Sequence, residues 1–181
     1  MCHKGVVVKL VVMLMMCVVV MPIVSFAQED GFQAQAEKAA EAKEEECPWA
    51  EAEKIVIPPD ARPSSEYVRQ AWAMNAQGQL KELEALVNEY KAVYEAKATA
   101  LQAPLTEFPP TTRQEEYQIL NDTGTMLFIQ AEALMKYGRT EDAIAAFQSL
   151  MEEYPWARAW DPRGWFWSVK EKSQDSIDVM T

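Results

Sequence analysis

Leu80, Leu83, Val87, Tyr90, Tyr94, Ala98 and Leu101 recur in steps of three or four residues, one unbroken apolar stripe on a helix predicted over about 79–101. A shorter helix over about 64–77 precedes it, with Val68, Ala71, Trp72 and Met74 as its apolar positions and Gly78 as its stop. After a break rich in proline (103–112), Thr112 and Glu115 have the spacing of a capping box for a third helix, over about 113–137. Tyr117, Leu120, Gly124, Leu127, Ala131 and Leu134 form its stripe. A glycine inside a helix costs about 1 kcal/mol relative to alanine, so Gly124 is expected where a neighbouring helix approaches closely. Gly138 ends this helix, and Thr140 is the expected N-cap of a fourth that runs to Tyr154 and buries Ala143, Phe147 and Leu150. Glu141 and Asp142 face the positive end of that helix. Asp161-Pro162 reads as the start of a fifth, through about Ile177, because proline is well tolerated at the first helical position.

The segments before residue 64 follow other rules. Residues 28–46 are rich in Ala, Glu, Lys and Gln, with Phe32 as the one large apolar side chain, and offer no face worth burying. Pro48, Pro58, Pro59 and Pro63 exclude a continuous helix over 48–65 and favour an extended arm, which Ile55, Val56 and Ile57 would fasten to the helical body. The chain opens with His3, Lys4 and Lys9, then an apolar run over 10–24 that contains Pro22, then Ser25-Phe26-Ala27. Small residues at the −3 and −1 positions are those of a secretory signal peptide cut before Gln28. The run is also shorter than the ~20 residues that span a bilayer. The expected organisation is therefore a signal peptide at 1–27, a flexible lead-in and Pro-rich arm at 28–63, and a helical domain at 64–181. The expected location is periplasmic or extracellular, with no stable membrane span after processing.

Processing changes the chemistry available. Residues 1–27 contain two of the 17 basic residues and none of the 28 acidic ones, so the mature formal charge is 15 − 28 = −13. Nucleic acid and anionic membrane surfaces would repel such a chain. The same residues hold the sole histidine, His3, and two of the three cysteines, Cys2 and Cys17. Without histidine, neither a Ser–His–Asp nor a Cys–His unit can be assembled, and one remaining thiol, Cys47, makes no disulfide within the chain. Cys47 follows Glu44, Glu45 and Glu46, whose field opposes thiolate formation; it is either a tolerated thiol or a partner in an intermolecular disulfide. No catalytic residue, cofactor or metal ligand is assigned.

The stretch 138–155, G-R-T-E-D-A-I-A-A-F-Q-S-L-M-E-E-Y-P, resembles the second helix of a tetratricopeptide (TPR) hairpin. In a 34-residue TPR frame over 124–157, Ala131 fills the small slot of the first helix and Leu134 the usual aromatic slot. Gly138 fills the turn slot, Ala143 and Phe147 the spine, and Pro155 the proline slot, while Gln130 and Leu127 depart from the expected Leu and Trp. Sixty residues earlier, Ala71, Gly78, Leu83 and Val87 occupy the equivalent slots in a degenerate, elongated hairpin. The resemblance implies an all-α fold of stacked hairpins with a capping C-terminal helix, and a protein–protein interaction or scaffold role in the cell envelope.

Four of the six tryptophans fall between residues 156 and 167. Tyr154, Trp156, Trp160, Trp165 and Trp167 are accordingly the candidate partner or ligand surface, or else the filling of a capped end. On a helix Trp165 and Trp167 would lie about 200° apart, with Trp165, nearer Tyr154 and Phe147, expected to be the buried one. A protein or peptide partner is the expectation. The alternative is a cell-wall or polysaccharide-associated protein that holds glycan on the tryptophans, with weak glycoside hydrolase activity from carboxylates such as Glu152, Glu153 and Asp161.

Overall fold

The computed structural model describes residues 50–181; the signal-peptide segment, the 28–46 lead-in and Cys47 lie outside them. The fold is all-α apart from one small antiparallel ribbon. In chain order it comprises α1 (Ala50–Lys54), α2 (Ser64–Ala76), α3 (Leu80–Gln102), a 3-10 segment (Thr111–Tyr117), α4 (Gln118–Lys136), α5 (Thr140–Glu153), β1 (Arg158–Asp161), β2 (Trp165–Ser168) and α6 (Val169–Met180). Among the described residues no helix is long and apolar enough to cross a membrane.

Two antiparallel helix pairs, α2–α3 and α4–α5, turn in the same way. Gly78 (φ 69°) and Gly138 (φ 75°) take the left-handed conformation that only glycine adopts without strain. In each turn the amide three residues past the helix reaches back to a carbonyl five residues earlier: Gln79 to Met74 at 3.0 Å, Arg139 to Leu134 at 3.0 Å. The pairs stack side by side, joined by polar contacts whose sequence offsets lie near sixty. Asn75 Nδ2 donates to Glu132 (3.0 Å), Lys136 Nζ to Asn75 Oδ1 (3.2 Å), and Arg139 to Glu84 (3.0 Å), while the Tyr137 hydroxyl donates to the Gly78 carbonyl.

Helix α4 lies at the centre, between α2, α3, α5 and the ribbon, so both its faces are apolar; Leu120, Met126, Ile129 and Ala131 are fully buried. The predicted stripe of α3 is buried along its whole length, from Leu80 to Leu101. In α5 the stripe is Ala143, Phe147 and Leu150. Ala143 is fully enclosed, so Ala143→Leu is expected to overpack the contact and cost about 1–3 kcal/mol. Exposed Gln148→Leu should leave the melting temperature unchanged. Equal melts for Ala143→Leu and wild type would rule out a close helix–helix contact there.

Several local expectations are corrected. The arm is not extended throughout, since α1 occupies Ala50–Lys54 before the prolines take over. Ala52 is buried, and Lys97 Nζ binds the Ala52 and Ile55 carbonyls. Ile57 packs on the core while Val56 points to solvent, and the Tyr94 hydroxyl donates to the Arg62 carbonyl at 2.6 Å. The Thr112–Glu115 capping box does not form: Thr111–Tyr117 is a 3-10 segment, with Arg113 outside helical geometry (φ −118°, ψ 19°). Thr140 is the first residue of α5 rather than its cap; the preceding Arg139 binds Asp142 instead (2.7 Å). Gly124 does mark a close approach, but its nearest neighbour is Ala157, in the segment leading into β1, with Val169 at the start of α6 next.

The largest correction concerns the C-terminal region. Asp161-Pro162 opens a hairpin loop, not a helix. β1 and β2 pair with Arg158 opposite Ser168, Ala159 opposite Trp167, Trp160 opposite Phe166 and Asp161 opposite Trp165. The loop Pro162-Arg163-Gly164 closes through Gly164 N–H to the Asp161 carbonyl (2.9 Å), with Gly164 at φ 108°. The final helix begins at Val169, capped by Ser168 Oγ, which accepts the Glu171 amide (3.1 Å). Its inward face is Val169, Ser173 and Ile177, so the capping helix closes the stack without any tryptophan.

Candidate aromatic groove

A groove of about 990 Å³ runs between α2, α4 and the ribbon. Each wall is one periodic face. Ser65, Val68, Arg69 and Trp72 are successive turns of α2, and Asn121, Thr125, Phe128 and Glu132 are successive turns of α4. The third wall is the ribbon, with Trp160, Trp165, Phe166 and Trp167. The volume lies at the upper end of the range for small-ligand sites and suits a bound segment.

The five aromatic residues singled out from the sequence separate here. Tyr154 is buried and stays in the core, its hydroxyl 3.2 Å from Thr99 Oγ1; burial pushes that phenol's pKa upward. Trp156 packs edge-on against Phe108 (5.3 Å between centroids) and donates from Nε1 to the Leu105 carbonyl (3.0 Å), away from the groove. Trp160, Trp165 and Trp167 do line it. Trp165 and Trp167 are two apart on a strand, so they share a face with Ala159 and Asp161 instead of diverging as they would on a helix. Trp165 is not the buried member: it is 46 % exposed and lies under the Arg163 guanidinium (4.4 Å). Trp167 is partly buried, edge-on to Phe128 (5.1 Å). Trp160 is 57 % exposed and meets Phe166 at 4.9 Å.

Sequence reasoning missed three wall residues. Trp72, 38 % exposed, was visible as the i+4 partner of Val68, one step round from the buried Ala71. Phe128 lies on the second face of a helix that is apolar on both. Phe166 required the strand.

The polar residues are held by short networks. Asn121 ties the ribbon to α4, accepting the Arg158 amide at Oδ1 (2.9 Å) and donating from Nδ2 to Gln114 (2.9 Å). Asp161 is locked to Arg163 through two guanidinium bonds of 3.0 Å and accepts the Arg163 amide (2.9 Å), which together hold its carboxyl below the usual aspartate range. Asp122 is different. Burial raises its pKa, and the opposing donors are both neutral, Ser64 Oγ at 2.6 Å and Gln118 Nε2 at 3.5 Å. A carboxyl raised in this way is a net cost once ionised: the loss grows as pH climbs from the ordinary aspartate value through the raised one, and disappears in acid.

Among the described residues no buried side-chain polar atom lacks a partner, and no group of three His, Cys, Asp or Glu could hold a metal. Of the carboxylates proposed for glycoside chemistry, Glu152 and Glu153 do not line the groove, and Asp161 is tied into its ion pair. A shallower hollow of about 500 Å³ shares Arg158, Trp165 and Phe166 with the groove and adds Phe108 and Glu171. Compared with known protein families, with curated proteins and with solved structures, the chain finds no match.

Proposed function

We propose that this chain is an exported, non-enzymatic interaction module of TPR-like hairpins that docks an extended peptide segment of a protein partner in the aromatic groove. The observation that carries the reading is the groove itself, with exposed Trp72, Trp160 and Trp165 on opposite walls and a rim of Arg69, Gln118 and Glu115. Exposed aromatic anchors inside a polar rim are the arrangement peptide-binding surfaces use. Two glycine turns of one geometry support the hairpin reading, while the offset near sixty is not the 34-residue TPR period and makes the hairpins irregular repeats. Export rests on the Ser25-Phe26-Ala27 cleavage pattern and the short apolar run before it.

The test is site-directed photo-crosslinking in the native envelope. A photoreactive residue at Arg69 should give a discrete protein adduct that is lost with Trp160→Ala, and one at Val179, exposed on α6, should give none. Equal labelling from both positions would refute groove docking. A second reading has a specific observation behind it: Trp160 and Trp165 are about half exposed, and flat amphipathic rings also suit sugar faces. Tryptophan fluorescence that responds to soluble wall oligosaccharides, with no protein adduct, would favour that glycan reading.

A further inference from the structure

The groove contains charges of both signs, and most are already occupied. Arg163 is held by Asp161, and Lys172 pairs with Asp175 at 3.4 Å. Arg158 donates to the Pro109 carbonyl (3.3 Å) and lies over the Phe108 ring (4.5 Å). Glu132 binds Asn75 (3.0 Å) and Lys136 (3.5 Å). Arg69 and Glu115 lie exposed at the rim, and among the carboxylates drawn away from water Asp122 stands apart: its donors are a hydroxyl and an amide, with no cation, on the same groove as three partly exposed tryptophans.

We infer that the groove selects a cationic side chain in its partner, a lysine or arginine whose head pairs with Asp122 while its stem lies along the tryptophan walls. The inference rests on the peptide-docking reading above. A cation supplied by the ligand gives Asp122 the counter-charge its own surroundings lack, and charge-assisted bonds are about twice as strong as neutral ones. Indole faces attract cations, and the ribbon already shows this chemistry where Arg163 covers Trp165. The long aliphatic stems of lysine and arginine suit an apolar wall with a charged floor. The acidic chain, at −11 overall, raises the local concentration of cationic segments at long range but does not place them; Asp122 does.

The experiment is a display selection of randomised octapeptides on the purified mature chain, followed by affinity measurement on the selected peptides. One position should be enriched in Lys and Arg over the input library. Asp122→Asn, which can still accept the Ser64 hydroxyl, should weaken those peptides roughly tenfold or more. Glu152→Gln makes the same charge change outside the groove and should leave affinity unchanged. If Asp122→Asn melts early, Trp72→Ala decides, since that ring is partly exposed on α2 and its removal should weaken the same peptides. Selected peptides without a cation, or an Asp122→Asn effect no larger than that of Glu152→Gln, overturn the cation inference alone. No peptide selected at all, with a fluorescence response to cellohexaose or chitohexaose, overturns both the inference and the docking reading.

Discussion

Trp167→Ala should melt roughly 10 °C below the wild-type protein, and Trp165→Ala within a degree or two of it. Both rings sit on β2, two residues apart and on one face of the ribbon, yet they meet different surroundings. Trp167 lies against Phe128 of α4, itself in contact with Phe147 of α5 at 5.5 Å, so its truncation opens a hole where ribbon and helices join. Full burial of a tryptophan corresponds to about 3–5 kcal/mol on truncation; the partial exposure of Trp167 sets the expectation near 3 kcal/mol. Trp165 is nearly half exposed and stacks only on Arg163, from its own loop. Its loss should appear in partner binding and not in the melt. Thermal unfolding of the two variants by circular dichroism makes the comparison. Equal, large losses would make the ribbon a purely structural plug and take from the groove its exposed wall; no loss at Trp167 would mean that Phe128 does not anchor the ribbon.

This pair also shows where the sequence was readable and where it was not. Long elements with a single stripe, such as the seven positions from Leu80 to Leu101, announce themselves, because burying one face of a long helix requires that spacing. The glycine turns were equally plain, since a left-handed residue between two helices leaves few alternatives to glycine. Asp161-Pro162 was not, because the same dipeptide opens a helix or a tight turn with equal ease. The deciding signal stood two residues further on. Gly164 suits the closing position of a three-residue hairpin loop and weakens the first turn of a helix, and Trp-Phe-Trp has the aromatic character of a strand. The groove was half legible: its helical walls follow the i, i+3, i+4 and i+7 spacing through Val68, Arg69 and Trp72, but its third wall depended on recognising the ribbon. The charge pattern of the groove was legible only in its local pairs, such as Asp161 with Arg163 and Glu132 with Lys136; that Asp122 is held by a neutral hydroxyl is decided by a contact with Ser64, 58 residues away.

Gly124→Leu is expected to cost about 3 kcal/mol or more, and Gly124→Ala about 1–3 kcal/mol, although alanine is the better helix former by about 1 kcal/mol. A Cβ on residue 124 would stand 2.5 Å from the Ala157 Cβ and 3.9 Å from its Cα, so the obstruction is a methyl bound directly to the backbone and not a flexible tip. Nor can the Ala157 segment withdraw easily. Its amide donates to the Tyr154 carbonyl (3.1 Å), its carbonyl accepts the Val169 amide (3.2 Å), and the next amide, of Arg158, is held by Asn121 one turn below Gly124. Those bonds fix the start of β1 and of α6 onto α4, which is how a glycine in the middle of a helix positions the ribbon wall of the groove. A double-mutant cycle isolates the contact. Ala157→Gly removes the opposing methyl, so Gly124→Ala combined with Ala157→Gly should be more stable than the sum of the two single effects by about 1 kcal/mol or more. Strict additivity in denaturant melts would mean that the two residues do not press on one another, and the close approach would then have no part in seating the ribbon.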